Sequence, residues 1–220
     1  MKLEDLINNR KSQESPEETA DTTHNELQDY FITDPQVVGY PDEEMQSEIY
    51  KWAAANVLPI VGSIDIVDIG AGRGDFGTWI RENYPNLTIN YDGFEQKSSL
   101  VQAGKLRGNI GIHNKTFAET DTELSQWNGW AFCIGSINEI YEPDKWKIFF
   151  KILRHSLNWV RDGVVFILNE SDTNYTNYPP AELLTYLKHD FPDIPYQIDS
   201  ANFNGIYKLV IYNKNFGENI

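Results

Sequence analysis

The stretch Ile64-Asp65-Ile66-Val67-Asp68-Ile69-Gly70-Ala71-Gly72-Arg73-Gly74-Asp75-Phe76-Gly77 decides how the rest of the chain is read. Its first six residues are rich in β-branched side chains, as a buried strand requires. Three closely spaced glycines end that strand, and a helical stretch, Thr78 to Asn83, follows. Such a turn brings main-chain N–H groups against a ligand at distances that any Cβ would forbid. In a parallel sheet ligands sit beyond the C-terminal strand ends, so the turn is expected to floor a site.

Two ligand classes compete for it. Gly72-Arg73-Gly74-Asp75-Phe76-Gly77 satisfies the dinucleotide pattern G-x-G-x-x-G. The same residues also read as an acid, Asp68, followed by G-x-G-x-G from Gly70. Position separates the two, because the dinucleotide pattern begins directly after its strand, at Gly70. Counted from there, its third glycine falls on Asp75 and the pattern fails. Asp75 also puts negative charge where a pyrophosphate needs a helix N-terminus free of it. A cationic sulfonium has no phosphate to repel, which favours S-adenosylmethionine over NAD.

Working outward, Asp42 to Val57 reads as a helix with Met45, Ile49, Trp52, Ala53 and Val57 on its apolar face, stopped by Pro59. Downstream come a strand from Leu87 to Phe94 that closes at Gly93-Phe94-Glu95, and a polar helix from Ser98 to Leu106. A third strand is expected near Ile110 to Phe117, a fourth at Ala131 to Gly135, and a long helix from Pro143 to Val160. The apolar run Val164 to Leu168 is the fifth strand, and Ala181 to His189 is helical. Tyr196 to Asp199 and Tyr207 to Tyr212 flank an Asn204-Gly205 turn. Alternating strands and helices imply right-handed crossovers and a parallel sheet. Residues 200–205 are too few for a crossover, so the last two strands pair as a hairpin. The expected fold class is α/β: an open sheet, mostly parallel, with an antiparallel C-terminal strand and helices on both faces.

Composition sets the frame. The 220 residues, 40% apolar with 11 Phe, 12 Tyr and 6 Trp, suffice for one core and an appendage. No apolar run approaches the ~18 residues of a membrane span, and the N-terminus lacks a signal-type stretch. Cys133 is the only cysteine, which excludes an intrachain disulfide and a Cys-rich zinc site and sets the expected compartment as the cytoplasm. The net charge of −15 opposes a nucleic-acid phosphate backbone. Residues 1–48 carry 13 acids against three bases, so much of that charge is N-terminal. We divide the chain into an acidic flexible tail (1–29), an N-terminal lid or helix segment (30–60) and the main domain (61–220). The tail reads as a solvated extension or as a dock for a basic partner. Tyr30, Phe31 and Tyr40 would close over a ligand or pack a helix on the sheet; Gln46 and Ser47 fall where such a helix approaches it.

The motif from Ile66 to Phe76 resembles the first motif of the class I S-adenosylmethionine-dependent methyltransferases, and Gly93-Phe94-Glu95 resembles the end of their second strand. That resemblance implies a Rossmann-like fold and a methyl donor held by Asp68, Gly70, Ala71, Gly72 and Gly74. It implies a ribose clamp at Glu95, which lies 21 residues beyond Gly74, with Asp92 the rival. Gln96, Phe117, Ala118 and Gly135 complete the implied cofactor set, with Glu119 beside Phe117. Phe132 to Asn138, Gly163 to Asn169 and Tyr178 to Glu182 resemble segments of small methyltransferase-like proteins of bacteria and their phages.

Methyl transfer requires an in-line approach of the acceptor, and oxygen or ammonium acceptors also lose a proton. Groups placed for this follow the fourth strand (Ser136, Asn138, Glu139) and the fifth (Asn169, Glu170, Asp172); Asn138 and Glu139 are preferred. The Asn/Asp-Pro-Pro-aromatic signature of amino-directed DNA methyltransferases is missing at Gly135-Ser136-Ile137-Asn138. Cys133, inside an apolar strand, reads as packing. His24, His113, His155 and His189 are scattered, so no metal is expected. The expected function is methyl transfer to a small molecule or a protein side chain. The alternatives are a non-catalytic interaction module acting through the acidic tail and an NAD-linked oxidoreductase.

Overall fold

The computed structural model describes residues 35–109, 111–120, 127–139, 144–170, 176–200 and 205–213. The acidic tail, Tyr30, Phe31 and Asp172 lie outside these residues, as do the side chains of Glu119 and Glu139. The strands are Gly62–Ile69 (β1), Leu87–Glu95 (β2), Ile112–Asn114 (β3), Gly129–Ile134 (β4), Gly163–Asn169 (β5), Tyr196–Ser200 (β6) and Ile206–Tyr212 (β7). The helices are Glu43–Ala54 (α1), Asp75–Asn83 (α2), Ser98–Leu106 (α3), Lys145–Trp159 (α4) and Pro180–Asp190 (α5).

Among the described residues the strands form one sheet in the order β3-β2-β1-β4-β5-β7-β6. The pairs β1–β2, β1–β4, β2–β3 and β4–β5 are parallel, and β7 runs antiparallel between β5 and β6. The order reverses at β1, whose neighbours β2 and β4 lie on opposite sides. Crossovers leave β1 and β4 toward different faces, and a crevice opens at their C-terminal ends. The glycine turn lies in that crevice because it directly follows β1.

Alternate side chains of β1 feed two cores. Val67 and Ile69 join one with Phe149, Leu153 and Trp159 of α4 and Leu183 and Leu187 of α5. Ile64 and Ile66 join the other with Ile49, Tyr50 and Ala53 of α1, Phe76 and Ile80 of α2 and Val101 of α3. Every residue of β5 is buried, which explains its uninterrupted apolar run.

Several boundaries differ from the sequence reading for local reasons. The helix expected from Asp42 to Val57 begins after Asp42, whose carboxylate caps it by accepting from the Met45 N–H at 2.8 Å. It ends at Ala54, and Asn56 is left-handed with φ of 65°. Helix α2 starts at Asp75, ahead of the expected Thr78. The third strand shrinks to Ile112–Asn114, because Phe117 enters a 3-10 turn, Phe117–Glu119, that buries its ring. No helix among the described residues is long and apolar enough to cross a membrane.

Candidate functional site

An open cavity of about 320 Å³ lies over the glycine turn, lined by Val38, Tyr40, Tyr50, Asp68, Gly70, Ala71, Gly72, Asp75, Phe76 and Ile134. Its floor is the turn, its far side the end of β4, and its near side the segment Pro35–Pro41 with Tyr50 of α1.

The turn's amides are not bare, which corrects the expectation that they face a ligand. Gly70 and Ala71 both donate to the Phe94 carbonyl, at 2.8 and 3.0 Å. Gly72 donates to Glu95 Oε2 at 3.0 Å, and Gly74 to the Ala71 carbonyl at 2.8 Å. These glycines therefore act through shape. Gly70, Gly72 and Gly74 have φ of 74°, 56° and 76°, the left-handed region that side chains resist. A Cβ on Gly70 would stand 2.0 Å from Ser136 Cβ, and one on Gly72 3.0 Å from Val38 Cγ1.

Three carboxylates gather here, each with different company. Glu95, buried at the end of β2, accepts from the Gly72 N–H with one oxygen and from the Lys97 N–H at 2.8 Å with the other. Asp75, at the N-terminus of α2, accepts from Arg73 Nε and NH2 at 3.0 and 2.8 Å and from Arg107 NH1. Asp68, only 4% exposed, accepts from the Tyr91 hydroxyl at 2.6 Å. Burial is the main cause that raises the Asp68 carboxyl to about 7; Glu95 and Asp75 add to it, and the Tyr91 hydrogen bond opposes it. Gly77 and Gly93 make room for the Tyr91 ring, since a Cβ on either would lie 2.8 or 3.2 Å from its carbons. The last glycine of the apparent dinucleotide pattern thus seats a tyrosine.

Asp68, Gly70, Ala71 and Gly72 meet at the cavity. Gly74 caps α2 beneath them, against Ile112, and Glu95 reaches the turn through Gly72. Gly135 follows Ile134 with φ of 81°, and a Cβ there would meet nothing within 4 Å. Asp92 instead holds His113, with Oδ1 and Nε2 2.5 Å apart. Gln96 is exposed, whereas Phe117 turns into the core against Phe94, His155 and Trp159, with half-buried Ala118 beside it. Neither Phe117 nor Ala118 lines the cavity. Asn138 points its carboxamide at β5, accepting from the Asn169 N–H at 3.2 Å and donating to the Ile167 carbonyl at 3.5 Å. Burial pushes the Cys133 thiol up to about 12, which keeps it unreactive in the core.

The sequence reading missed Val38, Tyr50, Phe76 and Ile134 as lining. A signal for Tyr50 existed: Gln46, Ile49, Tyr50, Ala53 and Ala54 share the buried face of α1 at helical spacing. Gln46 Nε2 donates to the Tyr50 hydroxyl at 3.1 Å, and Ser47 accepts from Trp79 Nε1 at 2.9 Å, so both serve packing around the site.

No family model matches the chain, and no curated protein matches its sequence. Solved structures do match in fold. Magnesium protoporphyrin IX methyltransferase from Synechocystis, solved with bound S-adenosylmethionine, is 11% identical, with a TM-score of 0.55 over 86% of this chain and 96% of its own. An S-adenosylmethionine-dependent methyltransferase from Clostridium acetobutylicum is 11% identical, with a TM-score of 0.56 over 86% and 98%. An O-methyltransferase family protein from Burkholderia thailandensis is 11% identical, with a TM-score of 0.55 over 79% of this chain and 57% of its own. The chain therefore has the Rossmann-like methyltransferase fold, with its glycine turn where that fold has its switch point.

Proposed function

We propose that this protein binds S-adenosylmethionine at the glycine turn and transfers its methyl group to a small molecule or a protein side chain. The observation that carries this reading is the cavity wall. It is lined by Asp68, Tyr40 and Tyr50, with Asp75 paired to Arg73 and Arg107, while the amides of Gly70, Ala71, Gly72 and Gly74 are engaged inside the protein. A pyrophosphate needs amide donors and no nearby acid, so a dinucleotide is disfavoured. A nucleoside with cationic sulfur and ammonium groups suits that wall.

The residues present fit such a cofactor. Gly72 lets Val38 close on the turn, since a Cβ there would stand 3.0 Å from Val38 Cγ1. Each Glu95 oxygen has accepted one N–H, which leaves lone pairs for the two ribose hydroxyls. Asp68 faces the cationic end, and the Gly70–Gly74 main chain forms the floor. We assign Gln96 to the adenine side, with Phe117 and Ala118 behind it in the core and outside the cavity lining. When bound, the cofactor supplies an electrophilic methyl carbon. The acceptor approaches past Gly135 at the end of β4, and Glu139, which follows that strand in the sequence, is the base assigned to take its proton. Asn138, bound to β5, shapes that loop.

Calorimetric titration with S-adenosylmethionine and S-adenosylhomocysteine tests the reading. Micromolar binding that Glu95→Ala weakens at least tenfold supports it. Silence for both ligands would favour an interaction module built on the same fold, and binding of NADH alone would favour an oxidoreductase. Incubating lysate fractions with methyl-labelled cofactor then finds the acceptor.

A further inference from the structure

The two ends of the sheet are built differently. At one end β3 is three residues long and carries exposed His113 and Asn114, a short polar edge that offers little to another strand. At the other end, among the described residues, β6 closes the sheet with Tyr196-Gln197-Ile198-Asp199-Ser200. Its ladder with β7 is unbroken, and the strand contains no bulge, proline or lysine, the usual guards of an edge. That ladder fixes which groups face outward. Tyr212 N–H donates to the Pro195 carbonyl at 2.9 Å, so Pro195 is hydrogen-bonded to β7, and alternation gives Gln197 and Asp199 the same role. Tyr196, Ile198 and Ser200 therefore aim their N–H and C=O groups away from β7. The side chains of Tyr196 and Ile198 are half-buried against the core beneath α4 and α5, which holds the edge in place. The one charge on the strand, Asp199, accepts from Trp52 Nε1 at 3.1 Å and lies 3.8 Å from Lys208 Nζ.

We propose that β6 is a dimerisation edge, on which a second copy of this chain lays its own β6 antiparallel and joins two sheets into one. The outward groups are self-complementary. Centred on Ile198, the new ladder pairs Tyr196 with Ser200 of the second copy and Ile198 with Ile198, so each outward N–H meets a carbonyl. The same register sets Gln197 directly opposite Asp199 of the second copy, where the carboxamide donates to the carboxylate. Sliding the copies by two residues one way sets Asp199 against Asp199, and the other way leaves Ser200 without a strand partner. Charge separates this occupant from others. A net charge of −15 attracts a basic partner and repels a second copy at long range. The edge gives a basic partner little to hold, since Asp199 is its single charge and already faces Lys208. Association through β6 is thus a contact of neutral main chain, opposed by the charge of the whole molecule and strengthened by salt. It holds whatever the cavity binds.

Sedimentation velocity of the full chain, from about 1 to 200 μM and at about 0.05 and 0.5 M salt, tests the proposal. The expected result is a monomer–dimer equilibrium with Kd of roughly tens of micromolar at the higher salt and severalfold weaker at the lower. Gln197 is exposed and tests the register. Gln197→Glu should weaken the dimer about fivefold and Gln197→Lys should tighten it by about the same factor, because either side chain faces Asp199 of the second copy. Ser200→Pro removes an N–H that β7 does not use, and should abolish dimerisation while the melting temperature is kept. Should Ser200→Pro disturb the fold, the opposed Gln197 variants decide the question alone. A protein that stays monomeric at the highest concentration in both salts overturns the proposal. A dimer that salt dissociates overturns it too, since a charged contact then joins the copies. A dimer that ignores both Gln197 substitutions does the same, because another surface is then in use.

Discussion

Asp68 also governs a stability term that is separate from any ligand. Its carboxyl titrates near 3.8 when exposed and near 7 when folded, so the folded protein holds the proton more tightly than the unfolded chain. That contribution is complete below about pH 4 and is lost as pH rises toward 7; its size is at most on the order of 4 kcal/mol. Chemical denaturation should show stability declining over that interval, and Asp68→Asn should flatten the decline. The glycines give a second prediction. Gly72→Val introduces a β-branched side chain at φ of 56°, against Val38, and should abolish measurable S-adenosylmethionine binding while far-UV circular dichroism is kept. Gly70→Ala is harsher, since Ser136 cannot retreat: its hydroxyl donates to the Ile69 carbonyl at 2.8 Å. We expect that variant to lose about 2 kcal/mol or more, read from its denaturation midpoint. The amino-acid string marked these positions as special, but assigned them donor roles. Their amides are taken by Phe94 and Glu95, residues more than twenty positions away, and no local pattern foretells that pairing.

Helix α1 depends on one side chain from the far end of the chain. Lys208 on β7, 2% exposed, donates to the Trp52 and Ala55 carbonyls at 3.0 and 3.2 Å and so caps the C-terminus of α1. Trp52 Nε1 adds a 3.1 Å bond to Asp199 of β6. Since α1 carries Tyr50 to the cavity, Lys208→Met should loosen the site from a distance. The expected outcome is a loss of about 1–3 kcal/mol in stability, with faster amide exchange across residues 46–54 than elsewhere. Helix and strand types were legible because burial imposes periods of 3.6 and 2 on the chain. Ends were legible only where a local cap exists, as at Asp42. The early finish of α1, held by Lys208, and the shortened β3 depend on distant partners.

The whole molecule is strongly acidic, with a net charge of −15, and like charges resist compaction. Raising salt from about 0.05 M to 0.5 M should therefore increase its melting temperature by a few degrees, as screening shortens the Debye length from ~14 to ~4 Å. A fall in melting temperature over the same range would mean that surface ion pairs outweigh that repulsion. At this scale the sequence by itself determined the alternation of strands and helices, the antiparallel final hairpin and the turn after β1 as the place for a ligand. These follow from periodicity, connection length and the conformational freedom of glycine, all local properties of the chain. Only the tertiary structure decided which amides are engaged, which carboxylate the two arginines neutralise, that Phe117 supports the core and that Tyr40 and Tyr50 wall the cavity. Each of those depends on what a distant segment places alongside, and hydrogen-bond and charge partners are fixed by proximity in space.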